Sequence, residues 1–347
     1  MPVIEYKCPN CGGGMFFDSE TGKLGCASCG RQDDIQAMPD ALTEAFAGDT
    51  FSGEDAKEYH CTSCGAVVIT DAETAATLCS FCGSGVILGD RLSGRLAPAL
   101  VIPFAISKEE AMAAFKKWCR NGLLTPGGFM TADRIKGITG MYVPFWLYGL
   151  DNKIEVQANG LKVRIYTQGD YRITETSHYD VYRKIRLNYV RVPIDAAEKM
   201  NDAIMDKLEP FPYEQLKGFK TPYLSGYLAE KYSFNENELL ARAKRKIHSY
   251  IEAYIQSTFA EYTSITGASR QIDTQLKKAE YVLLPVWVVH YDYKKLEYTF
   301  AMNGQTGKVV GKPPISKGKV AAWFAGVSGV SFLLLKGVAW MMGGGLL

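Results

Sequence analysis

Basic side chains are scarce at the start of this chain. Residues 1–90 hold only Lys7, Lys23, Arg31 and Lys57 against fourteen acidic groups, so a near-neutral total of +2 hides a first quarter at −10 and a remainder at +12. A surface of that sign is repelled by phosphate, which excludes the simplest nucleic-acid contact for this quarter. Histidine is scarcer still. His60, His178, His248 and His290 are scattered through 347 residues, and no Ser or Cys lies in a nucleophile-elbow context. Helicase motifs are absent. Gly304-Gln-Thr-Gly-Lys308 lacks the four-residue gap and the trailing hydroxyl residue of a phosphate loop, so it reads as a hairpin turn. The expectation is a protein that is not an enzyme. Met1–Lys7 shows no charged region followed by an apolar stretch, so no secretory signal is expected. In a reducing compartment, nine cysteines point to metal rather than to disulfides.

Eight of those cysteines fall into four CxxC pairs: Cys8/Cys11, Cys26/Cys29, Cys61/Cys64 and Cys79/Cys82. Fourteen residues separate the pairs within each set, and a shift of 53 maps one set on the other. The echo continues outside the ligands, with Asp18-Ser-Glu20-Thr21 returning as Asp71-Ala-Glu73-Thr74 and Met15-Phe16 as Val68-Ile69. Each pair is followed by glycine (Gly12, Gly30, Gly65, Gly83). Two thiolates that must converge on one ion need a following residue with positive φ, which turns backbone amides toward the sulfurs. The reading is two tandem rubredoxin-like zinc ribbons, each holding one Zn2+ on four cysteines, with the intervening apolar residues as short strands. Four thiolates close the coordination and leave no place for water, so both ions are structural. A unit of about 35 residues also draws much of its folding energy from the metal. His60 reads as a solvated surface residue beside Cys61, and Cys119 as a buried free thiol. Ribbons resembling these occur in transcription factor IIB and in replication and polymerase proteins. Nucleic-acid binding is therefore the alternative function, but Lys57 against six acids in Glu54–Asp90 favours protein contact.

Residues 93–315 carry no low-complexity tract and read as a mixed α and β domain. Ser107-Lys-Glu-Glu110 is a capping box that opens a helix with Ala111, Ala114, Phe115 and Trp118 at helical spacing. Strand-like runs are expected at 141–148, 154–157, 162–167, 171–173, 178–180, 185–192, 282–291 and 298–302. Asn235 caps a long amphipathic helix reaching Phe259, with Leu239, Leu240, Ala243, Ile247, Ile251 and Ile255 on one side. Its other side is basic (Arg242, Lys244, Arg245, Lys246) and reads as a solvated face. A fainter duplication at a shift of 141 pairs Pro144-Phe-Trp146 with Pro285-Val-Trp287, Asp151 with Asp292, and Lys153 with Lys294. Each copy follows an amphipathic helix and ends in Asn-Gly (Asn159-Gly160, Asn303-Gly304), a hairpin turn signal. The prolines and tryptophans read as strand-edge and core features.

Pro313-Pro314 ends that domain, and Lys317 and Lys319 precede an apolar run of 23 residues, Val320–Met342. Its length spans a hydrocarbon core of ~30 Å. Lys336 would cost about 2.5–3.5 kcal/mol at mid-bilayer; it either snorkels outward or pairs with an acid of a partner helix. Ala322/Gly326 and Ala325/Gly329 suit close helix packing in lipid. With lysines on its N-terminal side alone, the expectation is a single-pass cell-membrane protein whose bulk is cytoplasmic. The expected organisation is ribbon 1 over 1–38, a linker over 39–53, ribbon 2 over 54–92, an internally duplicated α+β domain over 93–315 and a transmembrane helix over 318–342.

Four strings carry a resemblance that covers nearly the whole chain: Val101-Ile-Pro-Phe104, Tyr142-Val-Pro-Phe-Trp-Leu147, Pro222-Tyr-Leu-Ser-Gly-Tyr-Leu-Ala-Glu-Lys-Tyr232 and Phe300-Ala-Met-Asn-Gly-Gln-Thr-Gly307. By these it resembles a bacterial family of TFIIB-type zinc ribbon-containing membrane proteins, some labelled phage replication or primosomal helicase proteins. The resemblance implies a membrane scaffold in envelope stress, because relatives are encoded beside flotillin-like (SPFH) and phage-shock-protein-A-like genes. Those proteins, together with related zinc-ribbon membrane proteins, are the implied partners. The expected function is a non-enzymatic adaptor whose ribbons act as docking heads.

Overall fold

The computed structural model describes residues 3–38, 57–70, 73–79, 82–92, 97–120, 122–127, 129, 135–293 and 296–341. The expected linker 39–53 lies outside the described residues, as do Asp71 and Lys294. The first quarter forms β1 (Val3–Ile4), β2 (Met15–Asp18), β3 (Lys23–Cys26), β4 (Gln32–Asp33), β5 (Lys57–His60), β6 (Val67–Thr70), β7 (Thr74–Leu78) and β8 (Gly85–Leu88). A first α+β half follows: β9 (Leu100–Val101), α1 (Lys108–Arg120), β10 (Ile135–Gln168) and β11 (Tyr171–Asp195). After α2 (Asp202–Leu208) and β12 (Lys217–Gly218) comes a second half: β13 (Leu228–Glu230), α3 (Glu236–Ser257), β14 (Ser264–Tyr293) and β15 (Leu296–Asn303). The short strand β16 (Val309–Val310) and helix α4 (Lys317–Met341) complete the chain.

The halves interlock about one antiparallel pair. β10 and β14 run side by side with Val143 opposite Leu284, two positions separated by the repeat shift of 141. A local two-fold through that contact carries the first half onto the second. β9 pairs parallel with β14 at Val282 and Leu283, and β13 pairs parallel with β10 at Met141 and Tyr142. Each half thus lends its first short strand to the other. The tryptophans do the same. Trp146 Nε1 donates to Phe234 O (2.9 Å) and Trp287 Nε1 donates to Ile106 O (3.1 Å), carbonyls that immediately precede the two helix N-caps. Phe104 packs on Trp287 at 5.0 Å and Tyr232 on Trp146 at 5.3 Å. Pro144 and Pro285 lie inside central strands rather than at the sheet edge. They are tolerated because each sits where its strand changes partner, from β13 to β11 and from β9 to β15, and the ladder needs no N–H there.

Both expected helices form with their expected caps. Glu238 and Asn235 make a reciprocal capping box for α3, and Ser107 Oγ accepts from Glu110 N while Glu110 accepts from Ser107 N (2.9 Å) for α1. Ala243, Ile247, Ile251 and Ile255 are buried under α3 with Ile154, Val156, Ala158 and Val181 of the sheet. On the opposite sheet face, Val143, Phe145, Leu147, Val282, Leu284 and Val286 pack on α2 through Met205 and Leu208.

Six of the expected strand runs are parts of two. Segments 141–148, 154–157 and 162–167 lie in the single strand β10, and 171–173, 178–180 and 185–192 in β11. The apparent break near Asn152 is a buried amide whose side chain donates to Leu187 O (3.1 Å) and accepts from Thr274 (2.6 Å). Just before it, both neighbours of β10 bulge beside Gly149, and Arg191 on the β11 side takes φ +60. Bulges at one level in two flanking strands bend the sheet. Beyond Ser264 only β10 and β11 continue, as a two-stranded ribbon closed by Gly169-Asp170.

Asn159-Gly160 is therefore not a turn, although Asn303-Gly304 does open one between β15 and β16. Gly160 lies within β10, where a Cβ would stand 2.6 Å from the Tyr262 ring. Glycine serves close approach here, not chain reversal. Gly160→Ala is expected to cost about 1–3 kcal/mol through overpacking, most of it absent in a Tyr262→Ala background. Chemical denaturation of the four variants of this cycle measures the coupling; additive costs would show that the ring does not impose the glycine.

Candidate metal centres

The four CxxC segments fold into four copies of one knuckle. In each, the first cysteine's N–H donates to a carbonyl five residues on, and the glycine's N–H donates back to that cysteine's carbonyl. The pairs are Cys8 N→Gly13 O with Gly12 N→Cys8 O, Cys26 N→Arg31 O with Gly30 N→Cys26 O, Cys61 N→Ala66 O with Gly65 N→Cys61 O, and Cys79 N→Ser84 O with Gly83 N→Cys79 O. Gly12, Gly30, Gly65 and Gly83 have φ between +73 and +75, which L side chains rarely adopt. The apolar residues between pairs form strands as expected: β2 pairs with β3 so that Met15 opposes Cys26, and β6 pairs with β5.

This geometry gathers Cys8, Cys11, Cys26 and Cys29 in one group and Cys61, Cys64, Cys79 and Cys82 in another, all sulfurs of a group within 4.8 Å of one another. The nearest cross-pair contacts are 3.5 Å for Cys8–Cys29 and for Cys11–Cys26, and 3.6 and 3.8 Å for Cys61–Cys82 and Cys64–Cys79. In every knuckle the first cysteine is buried and the second exposed. Four converging sulfurs are a donor set for a metal ion, and two such groups fit two zinc sites. His60 is exposed and belongs to neither group; Cys119 is buried and belongs to neither. Burial pushes the Cys119 thiol up to about 12, which keeps it protonated and inert.

Neither ribbon stands apart from the body. β7 of the second pairs with β13, Ala76 opposite Ala229, and so enters the main sheet. The first docks through backbone and side-chain hydrogen bonds: Phe17 N donates to Ser225 O (2.9 Å), Ser225 Oγ donates to Met15 O (2.6 Å), and Lys220 Nζ donates to Gln36 O (3.0 Å). The ribbons also hold one another. β1 pairs with β8, and Glu5 accepts from Thr62 N (2.8 Å) and Ser63 Oγ (2.6 Å) on the knuckle of Cys61 and Cys64. Burial alone would raise the Glu5 carboxyl, but the bonds from Ser63 and Thr62 outweigh it and hold it below its usual value. Nothing near Glu5 in sequence announces this role, because its partners lie more than fifty residues away.

The basic surfaces are largely spent inside the molecule. Arg186 grips Asp151 at 3.1 and 2.7 Å, Arg183 pairs with Glu261 at 3.1 Å and Lys184 with Glu155 at 3.3 Å. On α3 the expected solvated face is half wrong. Arg242 reaches Asp195 (2.7 Å), Asp202 (3.0 Å) and Asp206 (3.3 Å), and Lys246 reaches Asp206 and Glu209. Lys244 and Arg245 are exposed. The helix periodicity could not show that α2 would supply acids to this side.

Metal analysis of the purified full chain is expected to give two equivalents of zinc, falling to one in Cys8→Ser/Cys11→Ser; an unchanged value would remove the first group as a site. A second expectation concerns Asp195, which is buried with Oδ2 unpartnered. Burial pushes its carboxyl from 3.8 to about 6, with Arg242 opposing. The folded state then holds this proton more tightly than the unfolded chain does. Its contribution is fully present below about pH 4 and is lost as pH rises through about 6. Asp195→Asn should therefore gain stability relative to the parent across that window, by about 1–3 kcal/mol. Denaturant midpoints at several pH values measure the difference; a pH-independent gap would refute it.

No family model matches the chain, and no solved structure does. It is 60% identical over 343 residues to the uncharacterized protein YdjG of Bacillus subtilis (strain 168), an alignment covering 99% of each chain. With that identity running the whole length of both proteins, the chain belongs to the YdjG family.

Proposed function

We propose that the chain is a single-pass membrane adaptor, not an enzyme, with two structural zinc ions and a cytosolic body that docks partner proteins. The observation that carries this reading is α4. Its segment Lys317–Val338 has a mean hydropathy of 1.5 and none of it is buried, whereas the apolar side of α3 is covered at Ala243, Ile247, Ile251 and Ile255. An apolar helix left wholly uncovered calls for lipid. Lys317 and Lys319 precede it, and by the positive-inside rule they favour a body in the cytosol, where cysteines stay reduced and able to hold zinc.

Four thiolates per site support closed, structural zinc. The surface offered to partners is the far end of the β10–β11 ribbon, where Ile165 and Tyr171 are 54% and 76% exposed. The TFIIB-type zinc-ribbon membrane proteins that the chain resembles make flotillin-like and phage-shock-protein-A-like proteins the first partners to try, in membrane-stress complexes. The pairing of Arg183, Lys184, Arg186, Arg242 and Lys246 with carboxylates weighs against a phosphate-binding role.

The full chain, purified from membranes in mild detergent, is expected to retain one of those proteins when each is supplied pure. Ile165→Ser/Tyr171→Ser should weaken retention about tenfold while leaving zinc content unchanged. Retention of neither, together with salt-dependent DNA binding lost on charge reversal at Lys244 and Arg245, would replace the adaptor with a nucleic-acid-binding protein. Recovery of the full chain in the soluble fraction after alkaline carbonate washing would remove the anchor.

A further inference from the structure

The loop after α1 and the approach to α4 are remote in sequence and joined in space. Ser316 N donates to Leu124 O (2.8 Å). Lys319 Nζ donates to Thr125 O (2.7 Å) across 194 residues of chain. These bonds fix the loop beside the first turn of α4. The apolar side chains gathered there face outward: Leu123, Ile315 and Trp323 are 69%, 66% and 53% exposed. With Leu124, Pro313 and Pro314 they line an apolar crevice of about 340 Å3.

The two segments that meet here carry charge of one sign over long stretches of sequence. No acidic residue occurs between Glu110 and Asp133, and none beyond Glu297. Those two acid-free stretches contribute Lys116, Lys117, Arg120, Lys312, Lys317 and Lys319, of which all but Lys116 are exposed. Exposed apolar groups flanked in sequence by exposed cations, at the foot of an apolar helix, match the boundary of an anionic bilayer: hydrocarbon below, phosphate at the rim.

We infer that this face is a platform that seats the body on anionic phospholipid. The inference rests on α4 spanning the bilayer. Granted that, the bonds from Ser316 and Lys319 hold residues 122–125 at headgroup depth. Leu123 and Ile315 then enter the apolar boundary, and the basic groups meet lipid phosphates. A helix alone would leave the body free to swivel; a second contact from α1 fixes its orientation.

The test places p-benzoylphenylalanine at position 123 of the full chain in nanodiscs of phosphatidylcholine with about one-third phosphatidylglycerol. Irradiation is expected to label lipid, with the labelled phosphatidylglycerol-to-phosphatidylcholine ratio about threefold above that of the bulk. Lys117→Glu/Arg120→Glu should return labelling to the bulk ratio. Labelling of protein alone, with α4 still resistant to carbonate extraction, would overturn the platform and leave the span standing. Lipid labelling without enrichment, or enrichment indifferent to charge reversal, would overturn the anionic recognition. Release of the chain by carbonate would overturn the span and the platform together.

Discussion

Val143 and Leu284 face one another across β10 and β14, and the α+β body is arranged around that contact. An antiparallel pair carries a local two-fold of its own, so a duplicated segment that pairs with its copy inherits symmetry without further instruction. Each half then completes the other. β9 and β13 are exchanged, and so are the two tryptophan bonds that seat the helix starts. A half in isolation would leave an indole N–H and a strand edge unpaired within its core, and such groups are costly to bury. The duplication is thus one folding unit rather than two.

The second ribbon is part of the same unit. Through β7 it extends the sheet beyond β13, on the side of β10 from which β11 also departs. A metal site usually stabilises only its own small module. Here the knuckle of Cys79 and Cys82 sits between β7 and β8, both strands of the main sheet. Glu5 ties the other knuckle of that ribbon to the strand leading into the first. A metal ion held at either quartet would therefore be coupled to the body. The ribbons are built into the body rather than hung from it.

What could be read from residues alone was whatever depended on near neighbours. The quartets, the four glycines, both capping boxes and the apolar run of α4 each follow from spacing within about two dozen residues, and each lies where spacing put it. The arm did not follow. Leu161, Val163 and Ile165 still alternate with Lys162 and Arg164 from the end of β14 onward, but Asn152 and Asn159-Gly160 interrupt β10 before them, so one strand reads as several. Gly160 looked like a turn because Asn-Gly commonly is one; the Tyr262 ring that demands the missing Cβ is a hundred residues away. Asp195 and Glu5 were invisible for the same reason. Burial and partners supplied from α2, α3 and the second ribbon decide their state.

The charge asymmetry of the sequence becomes direction in space through α1. Its first turn carries Glu109 and Glu110 and its last carries Lys117 and Arg120, the order that the helix dipole favours. At its N-terminal end, Ser107, Lys108 and Glu109 border a groove of about 730 Å3 whose far wall is ribbon 1 at Asp18 and Glu20. At its C-terminal end the chain runs into the loop held against α4. Thirteen residues of helix at 1.5 Å each make a strut of about 20 Å, roughly two Debye lengths at physiological salt. That distance lets the acidic quarter and the basic foot coexist with little mutual screening. If the proposed platform sits on an anionic surface, the foot would be drawn inward and the ribbons pushed away, so attraction and repulsion would turn the body the same way.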